Sequence, residues 1–461
     1  MSNFKGKKIL VLGMGETGLS MTKWLARQGA MVSVADSRDM PPNLSAVSKY
    51  VKSPNIYTGR FRAEAFKGIE LIAISPGVPL TEPLVQRAMK NKITVVGDIE
   101  LFAQALSTQH SKLRTRILGI TGSNGKTTVT SMVGAMCANA GLRTQVAGNI
   151  SPAVLDVLSD SEDSGVFPEA WVLELSSYQL ETTYSLRTQV ATVLNISEDH
   201  LDRYLSMEDY ARAKARIFEG AQLQVVNRDD DHTMKMAKRN KPIVSFGLGV
   251  PQLQTEWGLV ESQGERWLAR GNKPLMKSSE LQVTGLHNVA NALASLALCH
   301  AIDLPDEPLL NALHQFKGLP HRVERVAEIK GVTFYDDSKG TNVGATVAAL
   351  NGMPGKVVLI AGGEGKNQDF SPLKSAVANH ARAVVLIGRD APLIRQAIAS
   401  SNVPLVDAAT MDSAVDVAFS QAKSGDAVLL SPACASFDMF RNYEHRAEVF
   451  VAAVKKLGDR E

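Results

Sequence analysis

The chain has 461 residues, enough for two to four domains. It is 44% hydrophobic and 21% charged with a formal net charge of +3, so nothing in the bulk electrostatics argues for a nucleic-acid or membrane partner, and none is expected. Three scattered cysteines, Cys137, Cys299 and Cys434, form no C-x-x-C, which disfavours a zinc site and suits a reducing compartment. No apolar run nears the roughly 20 residues that span a bilayer. KGKK leads into a strand without a signal-peptide pattern. A cytoplasmic protein with no membrane insertion is expected.

The first strand, KILVLG (8–13), runs into GMGETG (13–18). Gly13 and Gly15 permit a tight turn and close approach of backbone to phosphate, and Gly18 permits close helix–strand packing. A helix over TGLSMTKWLARQG follows and stops at Gly29. The strand VSVAD then ends at Asp36, where a nicotinamide enzyme would hold a ribose. The pattern predicts a nucleotide-like ligand without saying which. After LIAIS (71–75), the polar stretch ALSTQHSKLRT (105–115) breaks the rhythm, and a boundary is set at about 113.

RILGIT (116–121) opens a second phosphate loop, GITGSNGKTT (119–128). Its glycines are Gly119, Gly122 and Gly125, so it departs from the common G-x-x-x-x-G-K-[ST] spacing. Gly-Lys-Thr is intact. Lys126 suits phosphate charge and Thr127 suits Mg²⁺. Val129, Met132, Val133, Met136, Cys137 and Ala140 form the apolar stripe of the helix that follows. Two further strands, WVLEL (171–175) and ATVLNI (191–196), lead to Glu174 and His200. Each residue alone has a structural reading. Together, beside a phosphate loop, they suit a metal bound to oxygen and nitrogen.

SMEDYARAKARIF (206–218) starts with a Ser-x-x-Asp capping pattern. Lys214 falls inside the apolar stripe of Tyr210, Ala213, Ile217 and Phe218. The pattern by itself favours a lysine snorkelling to water. The alternative is a buried, neutral amine that could take up CO₂. Residues 245–283 read as a small β region, and FKGLPHR (316–322) marks a boundary at about 318. VTFYDD (332–337), KVVLIAG (356–362), AVVLIG (383–388) and AVLLS (427–431) are the later strands. The class is α/β with mostly parallel sheets in three units, 1–113, 114–318 and 319–461.

The ordered set TGSNGKTT, GNI, LELSSYQLE, NISEDHLDR, ARAKARIF, GLHNVANALA, GLPHRVE, DDSKGTN, GGEGK and SPACASFDMF resembles the Mur ligases. These are ATP-dependent enzymes that add amino acids to peptidoglycan precursors. The resemblance covers essentially the whole chain. It is closest to members that join D-glutamate to UDP-N-acetylmuramoyl-L-alanine through an acyl phosphate. It implies a Rossmann-like N-terminal domain for the UDP-sugar and a central P-loop-type domain for ATP and Mg²⁺. A Rossmann-like C-terminal domain would bring the amino acid. Two phosphate loops then serve two nucleotides.

The resemblance also implies site residues. Thr17, Ser37, Arg38, Ser75 and Asn149 would contact the UDP-sugar. Ser123, Asn124, Gly125, Lys126, Thr127, Thr128, Asn288, Asn291, Arg322 and Asp337 would contact ATP. Thr127, Glu174, His200 and a carboxylated Lys214 would hold Mg²⁺, with Lys126, His200 and Lys214 as catalytic groups. Lys339, Thr341, Lys366, Ser436, Phe437 and Tyr443 would line the D-glutamate site, with Ser436 at the start of the FDMFRNYEHRAEVF helix. A monomer is expected. Tyr443, Ala447 and Glu16 depart from the family pattern. A dehydrogenase would explain GMGETG and Asp36, but it leaves the other motifs without roles. A nucleotide-dependent switch would use only the second loop.

Overall fold

A computed structural model describes residues 4–109, 115–262 and 264–460. The polar stretch at 105–115 is helical up to Gln109, within the helix Asp98–Gln109, and the boundary at about 113 itself falls on 110–114, outside the described residues. Three sheets follow one another along the chain.

The first sheet has five parallel strands, ordered Ile56–Thr58, Met31–Asp36, Lys8–Leu12, Leu71–Ile74 and Thr94–Val96. The order reverses beside Lys8–Leu12. That places the GMGETG turn at the switch point, where open parallel sheets bind ligands. The expected helix forms over Glu16–Arg27, and Gly29 follows it at φ +79°.

The second sheet has nine strands. Its parallel part runs Thr144–Gly148, Ala170–Glu174, Arg116–Thr121, Thr188–Val193, Ala221–Asn227, Ile243–Phe246 and Glu256–Ser262. Glu265–Arg270 and Lys273–Lys277 then add antiparallel strands at the edge. The β region expected at 245–283 is therefore a meander that extends the main sheet. The strand expected as ATVLNI lies earlier, at Thr188–Val193. Pairing with Arg116–Thr121 ends at Val193, and the backbone then turns to wrap the phosphate loop.

The third sheet has six strands, ordered Glu324–Ile329, Val332–Asp336, Ala427–Leu430, Val357–Gly362, Ala381–Ile387 and Leu405–Asp407. Only Glu324–Ile329 runs antiparallel. Helices cover both faces, and the interior strands are apolar on both sides, as such sheets require. Among the described residues, no helix is long and apolar enough to cross a membrane.

Candidate active site

The strand Arg116–Thr121 passes through Gly122–Gly125 into the helix Lys126–Asn139. Gly125 sits at φ +81°, and a Cβ there would lie 2.6 Å from Asn291 Oδ1. Gly125, the glycine of Gly-Lys-Thr, is thus pressed against the helix Leu286–His300. Asn195 clamps the loop from the other side: Asn124 N donates to its Oδ1 at 2.8 Å, and its Nδ2 donates to Asn124 O at 3.1 Å. Ser123 Oγ bonds Ser197 O at 3.0 Å and lies 3.1 Å from the Tyr210 hydroxyl, so its side chain is committed to the protein. Lys126 Nζ folds back to Gly122 O and Ser123 O, both at 2.9 Å. Burial lowers its pKa, and the carboxylates of Glu174 and Asp199 oppose that.

Glu174 ends the strand Ala170–Glu174, in register with Ile120, and is 2% exposed. Its Oε1 accepts from Asn149 Nδ2 at 3.0 Å. Its Oε2 is buried without a hydrogen-bond partner. A buried carboxyl oxygen left unpaired is costly, so this atom fits a hard cation. His200 stands at φ +60° with its ring 5.0 Å from that of Tyr178. Burial lowers its pKa, Asp199 opposes, and Lys366, Lys126 and Lys214 add to the fall. A neutral imidazole, the form that ligates metal, is favoured. Among the described residues, one group of three His, Cys or carboxylate side chains has ligand atoms within 4.8 Å of one another: His321, Glu324 and Asp336. Glu174 and His200 supply only two such donors.

Lys214 is 2% exposed, which overturns the snorkelling expected from the helix pattern. The helix Met207–Ala215, capped by Ser206, turns this face onto the phosphate loop rather than toward water. Lys214 Nζ donates to Gly122 O at 2.9 Å, the carbonyl that Lys126 also uses. Burial first, then the neighbouring Lys126, holds its pKa well below the ordinary lysine value.

A cavity of about 320 Å³ lies beyond the loop, between Asn124, Thr128, Asn288, Asn291, Arg322 and Lys339. That volume suits a small-molecule site. Asn291 Nδ2 donates to Asn288 Oδ1 at 3.2 Å. Arg322 reaches across to Thr127 Oγ1 at 2.7 Å. Asp337 accepts from Ser431 Oγ at 2.7 Å, and burial pushes its carboxyl up to about 7.

The first glycine turn is tight: a Cβ on Gly18 would lie 1.8 Å from Gly13 O. Asp36 is not free for a ribose. Its Oδ2 accepts from Met14 N and Arg38 Nη2, both at 2.6 Å, and its Oδ1 accepts from Arg38 N and Nε at 2.9 and 2.8 Å. Burial raises its pKa, but these bonds outweigh it and hold the carboxyl below the usual range. The dehydrogenase alternative thereby loses its acid. Thr17 is half-buried and Ser37 is exposed. Ser75 is buried at the turn with an unpartnered hydroxyl. Glu16 Oε1 accepts from Ser151 Oγ at 2.8 Å, which ties this turn to the GNI segment.

Lys366, at φ +51°, places Nζ 3.8 Å from Asp199 Oδ1. Thr341 is half-buried, Ser436 is 3% exposed and Phe437 is 69% exposed. Ser436 does not begin a helix as expected. Residues 437–442 form turns, with Phe440 N donating to Ser436 O at 2.8 Å. The helix starts at Tyr443, because Asn442 Oδ1 caps His445 N at 2.8 Å. Sequence reading missed Asp199 and Asn342. Asn342 caps the helix Val343–Gly352, and its Nδ2 donates to Asn124 Oδ1 at 3.0 Å and Asp199 Oδ2 at 3.3 Å. An Asn before an apolar helical run was the available signal.

Family profiles match three stretches: the MurD-like N-terminal domain of Mur ligases on residues 7–97, the Mur ligase middle domain on 120–299, and the Mur ligase glutamate ligase domain on 321–434. The chain is 60% identical over 459 residues to the UDP-N-acetylmuramoylalanine–D-glutamate ligase of Nitrosomonas europaea, covering 99% of this chain and 97% of that one. The enzyme of the same name from Methylobacillus flagellatus is 58% identical, covering 100% and 99%. Among solved structures, MurF from Acinetobacter baumannii superposes with a TM-score of 0.62 at 17% identity, covering 99% of this chain and 92% of that one. The UDP-N-acetylmuramate–alanine ligase of Thermotoga maritima gives 0.59 at 20%, covering 98% and 99%. These two speak to the fold. With the profiles following one another along nearly the whole length and 60% identity to a curated member over 99% of the chain, the chain belongs to the Mur ligase family.

Proposed function

We propose that this ligase joins D-glutamate to UDP-N-acetylmuramoyl-L-alanine, using ATP, in peptidoglycan precursor synthesis. The observation that carries the reading is the convergence of Lys126, Glu174, His200 and Arg322 on one phosphate loop beside a ligand-sized cavity. Identity of 60% along the whole chain to a D-glutamate ligase supports the substrate choice.

Residues 1–113 hold the UDP-sugar, 114–318 the nucleotide, and 319–461 the amino acid. Thr17, Ser37, Arg38, Ser75 and Asn149 face the sugar nucleotide, and the unpartnered Ser75 hydroxyl is the donor most in need of a ligand. Asn288 and Asn291 face the adenine. Asn124, Gly125, Thr127, Thr128 and the backbone of Ser123 cradle phosphates, with Arg322 and Asp337 completing the pocket. The substrate carboxylate attacks the terminal phosphate of ATP, giving an acyl phosphate and ADP. The amine of D-glutamate then attacks that carbonyl, the amide forms, phosphate leaves, and the amine's proton passes to a base. Lys126 and Arg322 spread the charge that develops on the transferred group. Magnesium bound at Glu174, His200 and Thr127 would neutralise phosphate oxygens. Lys366, Thr341, Ser436 and Phe437 line the amino-acid site, with Lys366 pairing one carboxylate.

Lys214 is the residue most changed by its setting. A neutral amine can add CO₂, forming a carbamate and releasing a proton. That would set an anion able to face the metal beside Lys126. The enzyme acts as a monomer in the cytoplasm.

Phosphate release with UDP-N-acetylmuramoyl-L-alanine, ATP and Mg²⁺ tests the reading, with D-glutamate, L-glutamate, L-lysine and meso-diaminopimelate in turn. Release with D-glutamate alone, with a matching amide, is expected. Release with another amino acid overturns the specificity, and release with none overturns the ligase reading.

A further inference from the structure

Asn342 is 3% exposed and uses every hydrogen-bonding position of its side chain. Its Oδ1 accepts from Ala345 N at 2.9 Å, which caps the helix, and from Asn124 Nδ2 at 3.2 Å. Its Nδ2 donates to Asn124 Oδ1 at 3.0 Å and to Asp199 Oδ2 at 3.3 Å. Two amides thus meet head to tail across 218 positions of sequence, one on the phosphate loop and one at the start of the helix Val343–Gly352. The same helix start holds the Lys366 loop. Val343 N donates to Gln368 Oε1 at 3.0 Å, and Gln368 Nε2 donates to Gly365 O at 2.9 Å. Asp199, which accepts from Asn342, also stands 3.8 Å from Lys366 Nζ, and Asp369 N donates to Glu198 Oε2 at 3.1 Å. The close approach depends on Gly344. A Cβ there would lie 2.7 Å from Ser197 Oγ, the oxygen that also accepts from Asn124 Nδ2.

We infer that Asn342 is a positioning residue: its amide pair with Asn124 docks the helix Val343–Gly352 on the phosphate loop and so sets the Lys366 loop for the amino acid. This rests on the ligase reading. A nucleotide that favours this arrangement of Asn124 favours the docked helix, and an amino acid bound at Lys366 favours it in turn. Each ligand therefore tightens the other, by the same factor in both directions.

The test uses the full chain with UDP-N-acetylmuramoyl-L-alanine and Mg²⁺. D-Glutamate affinity is measured by calorimetry with and without a non-hydrolysable ATP analogue, in wild type, Asn342→Asp, Asn342→Ser and Gly344→Ala. Aspartate and serine keep an oxygen for the helix cap but cannot make the paired amide bonds. Alanine favours the helix itself and obstructs its docking. The analogue should tighten D-glutamate by about tenfold in wild type and by about twofold or less in each variant. In turnover, KM for D-glutamate should rise more than KM for ATP in all three. A role in capping alone predicts wild-type coupling in Asn342→Asp and Asn342→Ser, and that result overturns the inference. Wild-type coupling in Gly344→Ala also overturns it, as does a wild type that binds both ligands with no effect of one on the other. A wild type that binds neither the analogue nor D-glutamate overturns the ligase reading, and the inference with it.

Discussion

Arg322 Nη2 donates to Thr127 Oγ1 at 2.7 Å, joining residues 195 positions apart. The bond carries the HRVE segment, just beyond the boundary proposed at about 318, onto the phosphate loop. Burial lowers the Arg322 pKa while Glu174 and Asp337 oppose, so the half-buried guanidinium sits among acids. A lysine keeps the charge but not the planar fork. Arg322→Lys should lower kcat by about tenfold or more, with a raised KM for ATP, measured by phosphate release. Wild-type kinetics in that variant would remove Arg322 from the nucleotide site.

Glu174 Oε2 is the sharpest electrostatic anomaly of the site. Glu174→Gln keeps the shape and removes the charge. The free protein should become more stable, by about 2 to 4 °C in Tm. Activity should fall by about 100-fold, because the proposed metal site would lose its carboxylate charge. Loss of both stability and activity would mark Glu174 as structural instead.

Lys214 should carry a carbamate at neutral to mildly alkaline pH. With ¹³C-labelled bicarbonate, wild type should show a carbamate resonance that Lys214→Arg lacks, and that variant should lose about 100-fold in activity. Removing CO₂ from wild type should lower the rate and restoring it should recover the rate. An unlabelled, fully active Lys214 would end the idea.

Asp98 joins elements of the first two sheets: Gln179 Nε2 donates to its Oδ2 at 3.0 Å, while its Oδ1 is buried and unpartnered. Burial outweighs the bonds from Gln179 and the Ile99 backbone and raises its pKa from 3.8 to about 6. A carboxyl raised in the fold binds its proton more tightly folded than unfolded, so stability falls as pH rises from about 4 through about 6. Asp98→Asn removes that penalty. Its Tm should exceed wild type at pH 8, and the gain should fade by pH 4. A gain independent of pH would assign it to packing.

Periodicity and turn chemistry determined much of this protein from sequence. RILGIT became a strand at Arg116–Thr121, the apolar stripe from Val129 to Cys137 became the buried face of its helix, and Ser206 capped where the pattern put it. These depend on neighbours a few residues away. Even the likeness of GMGETG to a dinucleotide turn was sound locally, since Gly13 and Gly18 do make a tight strand–helix crossing.

Tertiary structure alone decided which groups are left unpaired. Asp36 is consumed by Met14 and Arg38, whereas Glu174 keeps one oxygen orphaned. Lys214 could reach water from an isolated helix, but packing against Gly122 buries it. Asn342 and Asp199 join the site only because distant segments close on the phosphate loop. Burial and desolvation depend on everything packed around an atom, and most of that lies far away in sequence.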